Sequence, residues 1–351
     1  MPETNTALDS DTGTVPQRVV TTQVRLVRRP VGELRPDDLE LVRAEISGPG
    51  PGQVLVRNEW MSVDPYMRGR MDDVEGAIPP FAPGGPLDGA AVGTVVASRA
   101  ADVPVGAAVL HQLGWREHAV LDGAAAVVVD AGTVPPQAHL GVLGTPGLTA
   151  WITVTETAPV RPGDVVFVSA AAGAVGTVAG RLARRFGAAR VIGSAGGPEK
   201  ARRLVEEFGY DRALDRRAGP IDAQLAAAAP EGIDVYLDAV GGDHLEAAVG
   251  AMRVGGRVAL VGAIGGYDAT TPRPGPANLF RAVGNRITLR GMMVVDHFDR
   301  WDEWRALATP WVVDGSLRGV ETVREGLASA PAALIGVLRG DNTGKMLVRL
   351  G

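Results

Sequence analysis

Val165-Val-Phe-Val-Ser-Ala-Ala-Ala-Gly-Ala-Val-Gly176 carries a run of β-branched and aromatic residues straight into a glycine-rich turn and the start of a helix. A short apolar run without polar alternation suits a parallel strand covered on both faces. The turn spaces Ala170, Gly173 and Gly176 so that the backbone can approach a pyrophosphate, whose charge then sits at a helix N-terminus. Ala170, Gly173, Ala174, Val175 and Gly176 are therefore candidate dinucleotide contacts. A glycine pattern alone is weak evidence, and Ala170 stands where the first glycine is usual, so the surroundings carry the reading. A second strand is expected over 189–194, at the distance of a βαβ unit, and strand and helix signals continue to alternate beyond it. The fold class is α/β, with a Rossmann-type doubly wound parallel sheet.

The second strand decides the cofactor. NAD-binding chains usually place Asp or Glu at its tip to hold the ribose hydroxyls, and a 2′-phosphate would be repelled there. This chain has Gly193-Ser-Ala-Gly-Gly-Pro-Glu-Lys200, with no acid at the tip and a lysine shortly after it. NADP is favoured. Lys200 and Lys345 are the only lysines in a chain that otherwise uses arginine. Lys200 is read as a phosphate ligand, against the plainer alternative of a surface lysine opening a helix.

A length of 351 residues suits two domains. An apolar fraction of 46% fills a sizeable core, and no uninterrupted apolar run is long enough to span a bilayer. Net charge −5 argues against nucleic acid or an anionic membrane as main partner. The absence of cysteine excludes disulfides, thiolate catalysis and cysteine-containing zinc sites. The five histidines show no metal-ligand spacing, and neither Gly-x-Ser-x-Gly nor His-Glu-x-x-His occurs. No metal is expected.

The chain divides into four parts. Residues 1–17, rich in Thr, Asp and Pro and without a signal-peptide pattern, read as a disordered leader on a cytoplasmic protein. Residues 18–140 alternate short β-rich segments with Gly/Pro turns, as a barrel does. Residues 141–314 carry the nucleotide-binding alternation. Residues 315–351 offer a helix, the turn Gly340-Asp-Asn-Thr-Gly-Lys345 and a last strand over 346–350, a segment placed to return to the first domain.

Specific segments now accumulate: Met61-Ser-Val-Asp-Pro-Tyr-Met-Arg-Gly-Arg-Met71, Gly144-Thr-Pro-Gly-Leu-Thr-Ala-Trp151, the glycine turn, Glu199-Lys200, Asp234-Val-Tyr-Leu-Asp-Ala-Val-Gly-Gly242, Gly262-Ala-Ile-Gly-Gly-Tyr-Asp268 and Asn342-Thr-Gly-Lys345. With them the chain resembles the zinc-independent medium-chain dehydrogenase/reductases, in the group of prostaglandin reductases, leukotriene hydroxydehydrogenases and double-bond reductases. The resemblance implies a GroES-like catalytic barrel beside the Rossmann domain, an NADP cofactor and a homodimer joined through the nucleotide domains. It implies cofactor contacts at Ser194, Gly197, Lys200, Arg216, Val240, Gly262, Ala263, Ile264, Met292, Val294 and Asn342, besides the turn itself.

The catalytic candidates are Tyr267 and Tyr66. Gly255-Gly-Arg-Val-Ala-Leu-Val-Gly262 reads as a turn and a buried strand ending at the ligand-binding edge of the sheet. The resemblance puts Tyr267, just past that edge, near the nicotinamide ribose; otherwise it is a loop tyrosine packing its ring. Tyr66, in Asp64-Pro-Tyr-Met-Arg68, would line the substrate pocket or else be a core aromatic, with Arg68 a partner for Asp64. Without the resemblance, Asn342-Thr-Gly344 would be an ordinary turn. Several positions depart from the group's usual residues: Gly196-Gly197-Pro198 for Gly-Ser, Arg216 for Tyr, Ala239 for Asn, Thr145 for Met and Trp151 for Tyr. Arg216 can compensate by gripping a 2′-phosphate or stacking on adenine.

The implied activity is NADPH-dependent reduction of a carbon–carbon double bond conjugated to a ketone or aldehyde, with hydride added at the β-carbon. A small-molecule enone is the partner. Quinone reduction, zinc-free alcohol oxidation, a biosynthetic enone reductase or cyclase, and a non-catalytic NADPH-binding protein are the alternatives.

Overall fold

The structure is a computed structural model that describes residues 15–271 and 273–351. Residues 1–14 of the expected leader lie outside the described residues. The first half builds β1 (Arg18–Leu26), β2 (Leu39–Ser47), β3 (Gln53–Val63), the helical turn α1 (Tyr66–Gly69), β4 (Ala91–Ser98), β5 (Ala108–His111), β6 (His118–Asp122) and β7 (Val127–Val128). The second alternates α2 (Thr145–Ile152), β8 (Val165–Val168), α3 (Ala174–Arg185), β9 (Arg190–Ala195), α4 (Pro198–Glu206), β10 (Arg212–Asp215), α5 (Ile221–Ala228), β11 (Ile233–Asp238), α6 (Gly242–Ala251), β12 (Met252–Leu260), α7 (Arg281–Asn285), β13 (Thr288–Gly291) and α8 (Trp301–Val313). The chain closes with β14 (Glu321–Glu325), α9 (Ala330–Arg339) and β15 (Lys345–Arg349).

Six strands pair in the order β10-β9-β8-β11-β12-β13, every neighbour parallel. This is the doubly wound sheet read from the sequence. All four residues of β8 are buried, because helices cover both faces. Val166 and Val168 pack with Val178, Ala179 and Leu182 of α3, while Val165 and Phe167 pack with Leu225 of α5 and Ala248 of α6. Phe167 stacks on Tyr236 of β11 at 5.0 Å between ring centroids. No helix among the described residues is long and apolar enough to cross a membrane.

The second sheet runs β14-β15-β3-β4-β5-β7, with β6 also pairing β3. β15 lies antiparallel to β3, Val348 opposite Met61, so the last strand completes the sheet begun by the third. A buried cluster joins Leu334 and Val337 of α9 to Met61, Met67 and Met71.

One expectation needs correction. Gly255-Gly256 does not precede β12 as a turn but lies inside it, since the strand starts at Met252. Its register against β11 jumps from Ile233↔Met252 to Val235↔Arg257. Gly255, at φ +79°, takes up the irregularity, which residues bearing a Cβ rarely can.

The barrel holds a fully satisfied buried histidine. His111 Nδ1 accepts from the Leu113 amide at 3.0 Å, which leaves Nε2–H to donate to Asn58 Oδ1 at 2.9 Å. Asn58 Nδ2 in turn reaches the carbonyls of Leu113 and Arg116. Burial, with Arg116 nearby, lowers the His111 pKa from 6.5 to about 3. A folded-state pKa below the unfolded one means that the contribution is present above pH 6.5 and is lost as pH falls toward 3. Urea denaturation between pH 7 and pH 4 is expected to show a stability slope of up to about 1.4 kcal/mol per pH unit from this group. In His111→Gln that component disappears, while stability at pH 7 drops through loss of the network.

Candidate active site

The carboxyl edge of the parallel sheet faces the barrel across a cleft of about 750 Å³. Its floor is the glycine turn. Gly173 caps α3 in extended backbone, and Gly176 packs so tightly that a Cβ there would stand 2.5 Å from Ala171 Cα. Tyr210 fixes the same corner by donating to Gly176 O at 2.6 Å. Ala170 adopts φ +47°, the left-handed conformation that explains the usual glycine and costs an alanine roughly 1–2 kcal/mol. The amide end of a twelve-residue helix thus faces the cleft, as an anionic pyrophosphate requires.

Ala170, Gly173, Ala174, Val175, Gly176, Ser194, Lys200, Arg216, Val240, Ile264 and Asn342 all line the cleft. Gly197, Gly262, Ala263, Met292, Val294, Tyr66 and Tyr267 are not among its lining residues. Gly197 instead donates its amide to Asp215 Oδ1 at 2.7 Å. Met292 is buried in the nucleotide-domain core, with Val294 packed against it from the partly buried margin. Tyr267 folds back so that its hydroxyl lies 3.4 Å from where a Cβ on Gly262 would be. Tyr66 packs against the barrel core, and burial, reinforced by Asp64, raises its phenol well above the ordinary value.

At the nucleotide end, β9 terminates in Ser194-Ala195, and Gly196-Gly197-Pro198 follow without an acid. Asp215, the nearest strand-tip acid, is turned to the backbone amides of Gly197 and Arg217. Lys200 and Arg216 supply positive charge on the wall, and the Ser194 Oγ is buried without a hydrogen-bond partner. An orphaned hydroxyl, an available guanidinium and a helix N-terminus fit a phosphorylated adenosine.

Lys200 does a second thing that sequence reasoning did not foresee. Its Nζ donates to the carbonyls of Gly340 and Asn342 at 2.6 and 2.5 Å, leaving one of three ammonium protons for the cleft. Burial first, then Arg217, lowers its pKa. Asn342 is likewise engaged locally, its Nδ2 donating to Gly344 O at 2.6 Å. The turn is therefore built by the same residues that line the site.

On the barrel side, Asp64 is not the partner of Arg68. Lys345 Nζ donates to Asp64 Oδ1 at 2.8 Å and to Val63 O at 2.7 Å. Arg68 is turned instead to Asp72 at 2.8 Å, Gly32 O at 2.9 Å and Asp268 at 3.5 Å. Asp268 belongs to the loop that carries Tyr267, so this ion pair crosses from the barrel to the sheet edge. Asp64, Lys345, Asp268 and His244 are lining residues that sequence reasoning did not select. Only His244 carried a usable signal, since it opens the helix after a sheet strand, where open α/β folds bind ligands.

A phosphate-adapted nucleotide cleft between a doubly wound sheet and a barrel defines a two-domain dinucleotide-dependent oxidoreductase. Residues 22–129 match the family described as N-terminal domain of oxidoreductase, and residues 174–314 match the zinc-binding dehydrogenase family. Among the described residues no three histidine, aspartate or glutamate side chains stand together so as to hold a metal ion. The NADPH-dependent curcumin reductase of Escherichia coli is 36% identical over 330 residues, 93% of this chain and 95% of that protein. The NADP-dependent 2-alkenal reductase of Nicotiana tabacum is 35% identical over 338 residues, covering 95% and 98%. The crystal structure of CurA from Vibrio vulnificus in complex with NADPH superposes with a TM-score of 0.89 at 35% identity, covering 94% of this chain and 99% of that one. The chain belongs to the zinc-independent medium-chain dehydrogenase/reductases, in the prostaglandin reductase and double-bond reductase group. It is an NADP-dependent oxidoreductase.

Lys200 and Arg216 bring two positive charges to the cleft wall. Arg216→Ala is expected to weaken NADPH binding far more than NADH binding, by roughly 10- to 100-fold for loss of a charge-assisted contact, whereas Lys200→Glu, which also releases the 340–342 turn, is expected to weaken both cofactors and NADPH the more. Isothermal titration with both cofactors is the measurement, and equal losses for the two would remove these residues from the phosphate site.

Proposed function

We propose that this protein reduces the carbon–carbon double bond of α,β-unsaturated ketones or aldehydes. The observation that carries the reading is a cleft with a phosphate-adapted nucleotide end and an opposite wall drawn from the barrel around Val63, Asp64 and Pro65. The reductase names of the relatives, 2-alkenal among them, support it. In this reading residues 18–140 and 315–351 form the catalytic domain and residues 141–314 the nucleotide domain.

Bound in the cleft, NADPH supplies the hydride that the β-carbon receives. Negative charge then grows on the conjugated oxygen, which becomes an enolate until a proton reaches the α-carbon. A donor placed at that oxygen lowers the barrier because its interaction strengthens as the charge develops. Tyr267 is assigned that role, and Tyr66 a place in the substrate pocket. The Tyr267 phenol lies over Gly262, at the sheet edge beside the lining residues Ile264 and Gly265. Its neighbour Asp268 is tied to buried Arg68, which holds the loop against the barrel and keeps the phenol close to the cleft. The cofactor contacts are those named above, from the glycine turn through Asn342. Val63, Pro65 and the Asp64–Lys345 pair exclude water from the barrel side.

Tyr267→Phe is expected to lower kcat on an accepted enone by ~10²–10³-fold with NADPH affinity nearly intact. Single-turnover kinetics should place the loss in hydride transfer. A panel of enones, quinones and alcohols establishes the accepted class at the same time. An unchanged single-turnover rate in the variant would mean that Tyr267 only packs the cleft edge.

A further inference from the structure

Two buried polar atoms face each other, unbonded, where the barrel meets the loop past β12. Arg68 Nε and Asp268 Oδ1 are both buried, and neither has a hydrogen-bond partner among the described residues. They stand 3.5 Å apart, whereas an N–H···O bond is made at about 2.9 Å. Buried polar groups left unsatisfied are costly, charged ones most of all. Each of these atoms is the partner the other lacks.

The surroundings show which side is fixed. Arg68 is 2% exposed and anchored in the barrel, one terminal nitrogen donating to Asp72 at 2.8 Å and the other to Gly32 O at 2.9 Å. With both ends of the guanidinium held, its Nε is left turned to Asp268. The Asp268 side chain is 33% exposed; burial raises its pKa, and Arg68 offsets only part of that. The same two loops also approach at Gly32, where a Cβ would stand 3.3 Å from Thr270 Cγ2. Gly32, at φ +74°, keeps that approach open. Glu33 and Asp268 both line the cleft, so the unmade bond lies at its rim, and any shortening must come from the loop that carries Asp268.

We propose that Arg68 and Asp268 form a latch that cofactor binding completes: with NADPH in the cleft, the loop past β12 moves toward the barrel by roughly half an ångström, and Arg68 Nε–H donates to Asp268 Oδ1. The assignment rests on the NADP cofactor and not on the identity of the reducible substrate. A ligand shifts a protein toward the arrangement it binds better, and the bond gained on closure contributes to that difference. By reciprocity, an intact latch tightens cofactor binding. Arg68 and Asp268 act here as positioning residues rather than as nucleotide contacts. Tyr267 adjoins Asp268, so the same movement carries its phenol.

The sign of one measurement separates this from plain electrostatics. NADPH is a polyanion, so deleting a carboxylate from the cleft rim tightens its binding if charge alone acts, whereas loss of the latch weakens it. Calorimetric titration without enone is expected to show about 3- to 10-fold weaker binding for Asp268→Ala, by the same factor for NADPH and NADH. Asp268→Asn keeps an acceptor oxygen and recovers part of the loss. In the wild type, the Arg68 Nε–H resonance, assigned by its absence from the Arg68→Lys spectrum, should shift and gain protection from solvent exchange at saturation with NADPH. Binding by Asp268→Ala as tight as wild type or tighter overturns the latch, as does a loss confined to NADPH or an Nε–H that the cofactor leaves unmoved. Where Arg68→Lys does not fold, the titrations of the Asp268 variants decide alone. An unchanged hydride-transfer rate in Tyr267→Phe would remove that tyrosine from the chemistry and leave the latch to these binding measurements.

Discussion

The working cleft depends on two ammonium groups that hold one short segment, 340–345, between the domains. Lys345, 2% exposed, is on the segment and binds Val63 O and Asp64 in the barrel. Lys200 comes from the nucleotide domain and binds the carbonyls of Gly340 and Asn342. Between them the Gly344 amide donates to Ala172 O at 2.7 Å, bringing Gly344 beside Gly173 of the phosphate turn. A buried ammonium is costly unless it is paired and hydrogen-bonded. Asp64 and the main-chain oxygens offset that cost at Lys345, and the carbonyls of Gly340 and Asn342 do so at Lys200.

The segment also explains why the end of the chain belongs with its beginning. β15 can extend the barrel sheet beside β3 only if the preceding turn leaves the nucleotide domain at the right point, and the Gly173–Gly344 bridge sets that point. The Arg68–Asp268 pair makes a second crossing. It links the helical turn after β3 to the loop past β12, so an ion pair spans the two tyrosine-bearing segments. The cleft is lined by apolar side chains such as Val63, Ile264 and Met346 as well as by Asp64, Lys200 and Lys345, and these few crossings hold its two sides together.

Ala170 illustrates how a departure is absorbed. Its left-handed backbone is the conformation that glycine would adopt without strain, yet the turn keeps its form because the amide of Ala171 bonds Ser194 O at 2.8 Å and that of Gly173 bonds Ala170 O at 2.8 Å. Surrounding hydrogen bonds over-determine the geometry. At Arg216 a long cation lines the cleft, with Gly196 leaving room beside its guanidinium.

The doubly wound sheet, the glycine turn, the β-rich first half and the preference for a phosphorylated cofactor are all legible in the amino-acid sequence. Those readings rest on local signals: an apolar run of strand length, glycine spacing over six residues, and a missing acid at a strand tip. Most of the turn and wall residues it selected do line the cleft, because their places follow from the βαβ unit that contains them. Only the packed molecule shows that Lys200 holds the 340–342 turn and that Asp64 pairs with Lys345 and not Arg68. Asp64 and Lys345 lie 281 residues apart, and no periodicity or motif encodes such a meeting. Buried charges take partners by distance in the packed molecule, and only the tertiary fold sets those distances.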